Sequence, residues 1–339
     1  MIRATISTAA LVLAMSPLSL PSPALAHGAL HLAQSAQQEV TIEATDLGSG
    51  AYMLTGQGGN IGVLTGDDGV FVIDSQFANI APQNLAKIKE ISGGSPTILV
   101  NTHWHGDHTG GNANFGATII AHDNVRARVS TDQTLVLLGN ERNSPAAEPA
   151  AWPVITFDDD LTLHLNGQTI RVVHLPAAHT DGDAMIMMEE ANVLHLGDVF
   201  FNARFPFIDV STGGTLAGYI AALNVAYEAA NNETKVIPGH GALATKEDIA
   251  ASITMLEGVR DAVQTARSEG MDADDAVAAG ILAEWAEDWA PEGSFMSAEN
   301  FTRIVYSDLE RVEAETGVQE AGDSDDGGEP LSEGSGDES

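Results

Sequence analysis

The sequence predicts an α+β domain made of two halves, each a set of strands followed by helix, around one shared core. Two observations carry this. Of 339 residues, 44% are hydrophobic and only 18% charged, enough apolar material for a sizeable core. Short β-type runs separated by Gly-containing turns lead into a helical segment, and the same order then restarts. No linker and no short-period repeat interrupts the series, so the domain is expected to span residues 27–316.

The elements follow in order. The opening MIRATISTAALVLAMSPLSLPSPALAHG reads as a secretory leader. Arg3 supplies positive charge, Ala9–Leu20 is a short apolar stretch, and Ala24-Leu25-Ala26 forms an A-x-A site. Cleavage after Ala26 would give a periplasmic or secreted protein, since the apolar stretch is too short to span a bilayer. Strands are expected at Val40–Thr45, Tyr52–Thr55, Ile61–Thr65 and Val70–Ile73. Ile80–Ile91 has helical spacing, with Leu85 and Ile88 facing inward. Thr97–Val100 and Ala117–Ala121 are apolar strands, and a short helix lies around Val125. The second half begins with strands Val154–Phe157, Leu161–Leu165, Thr169–His174, Ala184–Met188 and Val193–Leu196. Leu216–Ala229 reads as a helix and Lys235–Ile237 as a strand. Thr245 with Asp248 is a capping-box signal ahead of Ile249, Ile253, Leu256, Val259 and Val263, and Gly270 stops that helix. Helices near Asp274–Trp285 and Ser297–Glu313 close the domain. Gly317–Ser339 has no Lys or Arg and almost no apolar residues, so it is expected to be a disordered acidic tail.

Charge and cysteine content narrow the chemistry. Lys+Arg total 14 against Asp+Glu 48, a formal net charge of −34. Such a surface repels phosphate backbones and anionic headgroups, so nucleic acid and membrane are not expected partners. Nothing in the sequence sets an oligomeric state. With no Cys, any metal site must be built from His and carboxylates.

That chemistry concentrates in NTHWHGDHTGGN, where His103, His105, Asp107 and His108 directly follow a strand. His103 and His105 can reach one cation while Asp107 and His108 turn toward a second. His179, Asp198 and His240 sit just past three other strands, flanked by Gly182, Gly197, Gly239 and Gly241. Five His and two Asp suffice for two metals, each with three terminal ligands, and one bridging carboxylate. Nitrogen and oxygen ligation suits two Zn2+ per chain, with iron or manganese as compatible alternatives.

In the order HWHGDH, His179, Asp198, His240, the chain resembles the metallo-β-lactamase superfamily over roughly Val40 to His240. The resemblance implies a four-layer αββα fold, two mixed sheets packed face to face and flanked by helices, with a dimetal site along one edge. Asp74, in VFVIDS, matches a family aspartate near the site, and a strand-end carboxylate holding backbone amides is an equal reading. The best-studied lactamase subclass has Cys at the position of Asp198 and no His at that of His108. Another subclass has the extra His but no bridging carboxylate. The set here is similar to that of glyoxalase II, lactonases and other hydrolases of the superfamily.

The implied activity is metal-assisted hydrolysis, in which coordination lowers the pKa of water toward ~7. His103, His105 and His179 would hold the carbonyl-polarising ion. Asp107, His108 and His240 would hold the ion that stabilises the leaving atom. Asp198 would bridge them, and Asp107 would orient the nucleophile. The expected substrate is a small molecule with a hydrolysable amide or ester, a β-lactam first. A lactonase, a glyoxalase II-like thioesterase and a mono-iron sulfur dioxygenase are the alternatives. Trp104, between two ligands, and Arg204, in NARFPFIDVSTGG, are candidate groove residues. Arg204 would anchor a substrate carboxylate, with a surface ion pair as its plainer role. Helix packing is the plainer role of Trp104. Gly56–Asn60 is either a mobile hairpin over the site or only a turn, and His122, His164, His174 and His195 are expected to be structural.

Overall fold

The computed structural model describes residues 40–137 and 140–323. The stretch read as a leader and the last part of the acidic stretch, residues 324–339, lie outside the described residues.

The first half builds a seven-stranded sheet. Its strands are β1 (Glu43–Gly48), β2 (Ala51–Thr55), β3 (Ile61–Leu64), β4 (Val70–Ile73), β5 (Pro96–Val100) and β6 (Thr118–His122). A separate antiparallel hairpin of β7 (Gln133–Leu137) and β8 (Asn140–Ser144) follows, and β9 (Ile155–Phe157) then returns to the sheet beside β6. The first four strands form an antiparallel meander; β4, β5, β6 and β9 run parallel. Parallel neighbours need a crossover, and the helix α1 (Ala81–Ser92) supplies the one between β4 and β5. The second sheet has β10 (Asp160–Leu165), β11 (Gln168–His174), β12 (Ala184–Met188), β13 (Val193–His195) and β14 (Lys235–Ile237) in that order. Its last pair is parallel.

Side-chain alternation assigns each face. In β4, Phe71 and Ile73 point to the core between the sheets, where they meet Ile170, Val172, Ile186 and Ile237 of the second sheet. Val70 and Val72 point the other way, toward Ala81 and Ile88 of α1. A strand buried on both faces reads as an unbroken apolar run, which VFVI is. The outer face of the second sheet contributes Met185, Leu194 and Val236 to a third cluster. Leu223 and Ala226 of α5 (Leu216–Ala229) and Leu256 and Val259 of α6 (Lys246–Ser268) complete it. The four layers are therefore helix, sheet, sheet, helix.

Local signals place the helices. Thr245 and Asp248 form the expected reciprocal box at the start of α6. Leu85 is half-buried and Ile88 fully buried on α1. Short helices lie before and after these: α2 (Gly106–Thr109), α3 (Asn112–Phe115) and α4 (Asp123–Val129) before, and α7 (Ala273–Ala279) after. Gly280, at φ +66°, ends α7, so the single helix read near Asp274–Trp285 is instead α7 and a separate α8 (Ala283–Trp289). The last helix, α9 (Ala298–Asp323), runs past Gly317 into the stretch read as tail. Among the described residues no helix is long and apolar enough to cross a membrane.

Candidate metal centre

All seven candidate ligands lie on segments that follow strands of the two sheets, at one edge of the sandwich. His103, His105, Asp107 and His108 follow β5, His179 lies between β11 and β12, Asp198 follows β13, and His240 follows β14. They fall into two groups. Ligand atoms of His103, His105, His179 and Asp198 lie within 4.8 Å of one another, as do those of Asp107, His108 and His240.

Four of the five imidazoles are oriented by their other nitrogen. Asp74 follows β4 in a left-handed conformation, φ 64°, which a non-glycine residue adopts only when its surroundings hold it there. Its carboxylate accepts the backbone N–H of Thr102 at 2.8 Å and the Thr102 hydroxyl at 2.7 Å. It also lies 2.7 Å from His108 Nδ1. Both readings of Asp74 therefore hold: it fixes the loop after β5 and it orients a ligand. The Thr102 hydroxyl oxygen in turn faces His103 Nδ1 at 3.0 Å. His179 Nδ1 faces the Phe207 carbonyl at 2.8 Å, and His105 Nε2 faces Asp209 at 3.0 Å. A ring nitrogen that donates to an acceptor leaves the other as a lone pair. His103 Nε2, His179 Nε2 and His105 Nδ1 can thus be presented as lone pairs. The burial of His108, by contrast, is outweighed by Asp198, Asp107 and Asp74, which hold it well above its usual range, so a cation there would displace its proton.

These ring nitrogens converge on one another and on Asp198. His105 Nδ1 and His179 Nε2 are 2.9 Å apart. His103 Nε2, His108 Nε2 and Asp198 Oδ1 are buried without a hydrogen-bond partner. Asp198 Oδ2 lies 3.8 Å from His103 Nε2 and 3.6 Å from His179 Nε2. Its Oδ1 lies 3.0 Å from His108 Nε2 and 3.4 Å from His240 Nε2, while Asp107 Oδ2 lies 3.2 Å from His240 Nε2. Tetrahedral zinc with bonds of about 2.0–2.1 Å sets its ligand atoms roughly 3.3 Å apart. The donor set and spacing fit metal ions in both groups.

The electrostatics agree. Burial lowers His179 to about 4 and holds His103 well below its usual range, so both stay neutral ligands. Burial works against ionised Asp198, but His108, His240 and His103 around it keep it well below the carboxylate range. Burial likewise opposes Asp107, which His108 and a hydrogen bond from His240 bring down to about 2. His240 rises to about 9, because Asp198 and Asp107 outweigh its desolvation. A field that draws protons onto these imidazoles also draws cations.

Two site residues escape the sequence reading. Asp209, beside Ile208 in the segment after Asp198, is fully buried against His105. Asp183 accepts the backbone N–H of His179 at 2.7 Å and of Thr180 at 2.8 Å, shaping the loop that carries His179. Its burial raises it to about 8. Its only sequence signal is the repeated Asp of HTDGD.

The Gly56–Asn60 loop, which joins β2 to β3, packs against the centre. Gly59 N–H donates to the Asp107 carbonyl at 3.1 Å, and the Asn60 side chain donates to the Pro238 and Gly241 carbonyls. A Cβ on Gly59 would sit 2.0 Å from His108 Cε1. Gly59→Ala is therefore expected to push His108 off its position and lower the metal content of the purified protein, with the fold retained by circular dichroism. Full metal content in that variant would show that the ring can yield.

A cleft of about 480 Å³ opens onto Asp107, Asp198 and His240. Phe77, Phe201, Phe207, Phe295, Leu135 and Met296 make it largely apolar, and Arg142 and Arg204 bring positive charge. Arg204 is half-buried, its Nε is buried without a partner, and among the described residues it makes no ion pair. The surface ion-pair role does not describe it. Trp104 is 3% exposed and packs with Ala121, Val125 and Val129, showing the cleft only part of its ring. His195 is buried, with Nε2 3.1 Å from the Asn60 carbonyl, and His122 caps α4 and stacks on His174 at 3.8 Å, as structural histidines do.

The model of the metallo-beta-lactamase superfamily matches residues 54–240, more than half of the chain and spanning every ligand position above. The chain belongs to the metallo-β-lactamase superfamily. Acyl-coenzyme A thioesterase MBLAC2 of Bos taurus is 24% identical over 159 residues, 43% of this chain and 56% of that protein. This chain thus spans little more than half the length of that relative. Among solved structures, a metallo-beta-lactamase from Pontibacter korlensis superposes with a TM-score of 0.53 at 18% identity, covering 64% of this chain and 99% of that one. The inverting sec-alkylsulfatase Pisa1 from Pseudomonas sp. gives 0.59 at 15% identity, covering 78% of this chain and 50% of that one. At such identities the structures share the fold. The superfamily hydrolase region ends at His240, yet Phe295 and Met296 of the cleft wall lie beyond it.

Proposed function

We propose that this superfamily hydrolase holds two divalent cations, zinc in the native protein, and opens the amide of a β-lactam. The observation that carries the dimetal reading is Asp198, whose two carboxylate oxygens face separate groups of His ligands. Ions bound there supply a water acidified to pKa about 7 and a Lewis acid for the carbonyl. His103, His105 and His179 hold one position, Asp107, His108 and His240 the other, and Asp198 joins both. Asp107, ionised at the edge of the cleft, would orient the attacking water. The aromatic walls exclude bulk water, and Arg204 takes the carboxylate that a β-lactam carries beside its strained amide. The leader at residues 1–26 supports export, which would place the enzyme where such compounds arrive.

A thioesterase is the second reading, favoured by the likeness to MBLAC2. The net charge of −34 disfavours a substrate with several phosphates. A hydrolysis panel of a penicillin, a carbapenem, an acyl lactone and a glutathione thioester separates the two. Turnover of the thioester alone would replace the β-lactamase reading. Arg204→Ala is expected to raise KM for penicillins about tenfold, the low end for a charge-assisted hydrogen bond at a half-buried group, with a smaller change in kcat. An equal loss on the neutral lactone would mean that Arg204 supports the loop and not the ligand.

A further inference from the structure

The few cations of this chain are almost all spoken for. Among the described residues, every Lys and Arg other than Lys89, Arg142 and Arg204 has a carboxylate or carbonyl partner. With 48 acidic residues against 14 basic ones, a cation placed anywhere on this surface readily finds an acid. Yet two of the three unpaired ones line the metal cleft. The acids in that cleft's wall are Asp107 and Asp198, both committed to the ligand groups, and neither pairs with either arginine. Arg204 rises from the segment after Asp198, and Arg142 descends from β8 of the hairpin. That hairpin is seated on the domain, because Leu135 of β7 packs with Trp104 and Val129 while also lining the cleft.

We propose that Arg142 is a second anion-binding residue of the cleft, so that the preferred substrate carries two negative groups on an apolar body. This rests on the hydrolase reading above and adds the substrate's charge pattern to it. Arg204 receives the first anion and Arg142 the second. Guanidinium groups suit carboxylates or sulfonates through paired N–H donors. The apolar body lies along Phe207 and Phe295, whose rings meet edge to face at 6.3 Å. Phe295 is 54% exposed, an unusual position for a large apolar side chain unless something covers it. Arg142 is exposed, so its contribution is modest and falls as salt rises.

The test compares two β-lactams that differ by one side-chain carboxylate. Calorimetric titration of the zinc-loaded protein with glutarate and with butyrate gives a readout independent of turnover. The wild type is expected to prefer the dianion in both assays by about three- to tenfold, less at about 0.5 M salt. Arg142→Ala should bring that ratio to about one, and Arg142→Lys should keep part of it. Lys89→Ala, an unpaired cation away from the cleft, should leave the ratio as it is. An unchanged ratio in Arg142→Ala, or no dianion preference in the wild type, overturns the assignment. If no β-lactam is hydrolysed, the proposed reaction fails while the titrations still decide the role of Arg142.

Discussion

Asp198→Ala is expected to lower kcat/KM by at least about a thousandfold and to reduce bound metal in the same step, because several kcal/mol of transition-state stabilisation depend on both ions. The geometry makes the two losses inseparable. Oδ2 of Asp198 is the carboxylate oxygen nearest His103 and His179, and Oδ1 is the one nearest His108 and His240. Removing it leaves the first group with three imidazoles and no carboxylate, and the second with Asp107 as its one carboxylate. It would also remove the anion that the dimetal proposal places between two dications. The fold should survive, since the hydrogen bond from the Tyr219 hydroxyl uses the Asp198 backbone carbonyl and not its side chain. Elemental analysis should give about two divalent ions per wild-type chain and one or fewer in the variant. A folded Asp198→Ala protein with full occupancy and full rate would falsify the bridging assignment.

The sequence exposed this centre unusually well, and for a physical reason. Ligands at strand ends are separated by apolar runs whose period announces the strands, so HWHGDH, His179, Asp198 and His240 each stand out against their flanks. The interior strands were legible for the same reason: VFVI and AMIMM have no polar residue that a solvent-facing edge would need. Elements at the margin were not. The hairpin of β7 and β8 is largely exposed and polar in its second strand, NERNS, so alternation gave it no apolar face to reveal. Arg142 was hidden with it. At Gly56–Asn60 the glycines left a mobile hairpin and a plain turn equally readable, and the sequence held no sign that Gly59 is small because the His108 ring occupies the space a side chain would need. Partners at long range, such as Asp209 with His105, leave no mark in local spacing at all.

Asp209 is where that blind spot has the largest consequence. Its carboxylate lies 3.0 Å from His105 Nε2, and its backbone N–H donates to the His179 carbonyl at 2.9 Å. One residue thus orients a ligand ring and ties down the loop of a second. Burial works against the charge, but the hydrogen bond from His105, with others from Ser211 and Thr212, brings Asp209 down to about 2. With an ionised acceptor at Nε2, the His105 proton stays there and Nδ1 stays a lone pair aimed beside His179 Nε2. Asp209→Ala removes the acceptor, frees the ring to turn, and lets the proton move to the nitrogen that must bind. Metal affinity in a chelator competition is expected to fall roughly 10–100-fold, the usual effect of losing a histidine's outer partner. Asp209→Asn keeps an oxygen that can accept from Nε2 but not the charge, so it should recover part of the affinity. A merely structural role would lower thermal stability in both variants without separating their metal affinities. Wild-type affinity in Asp209→Ala would show that packing alone aims His105.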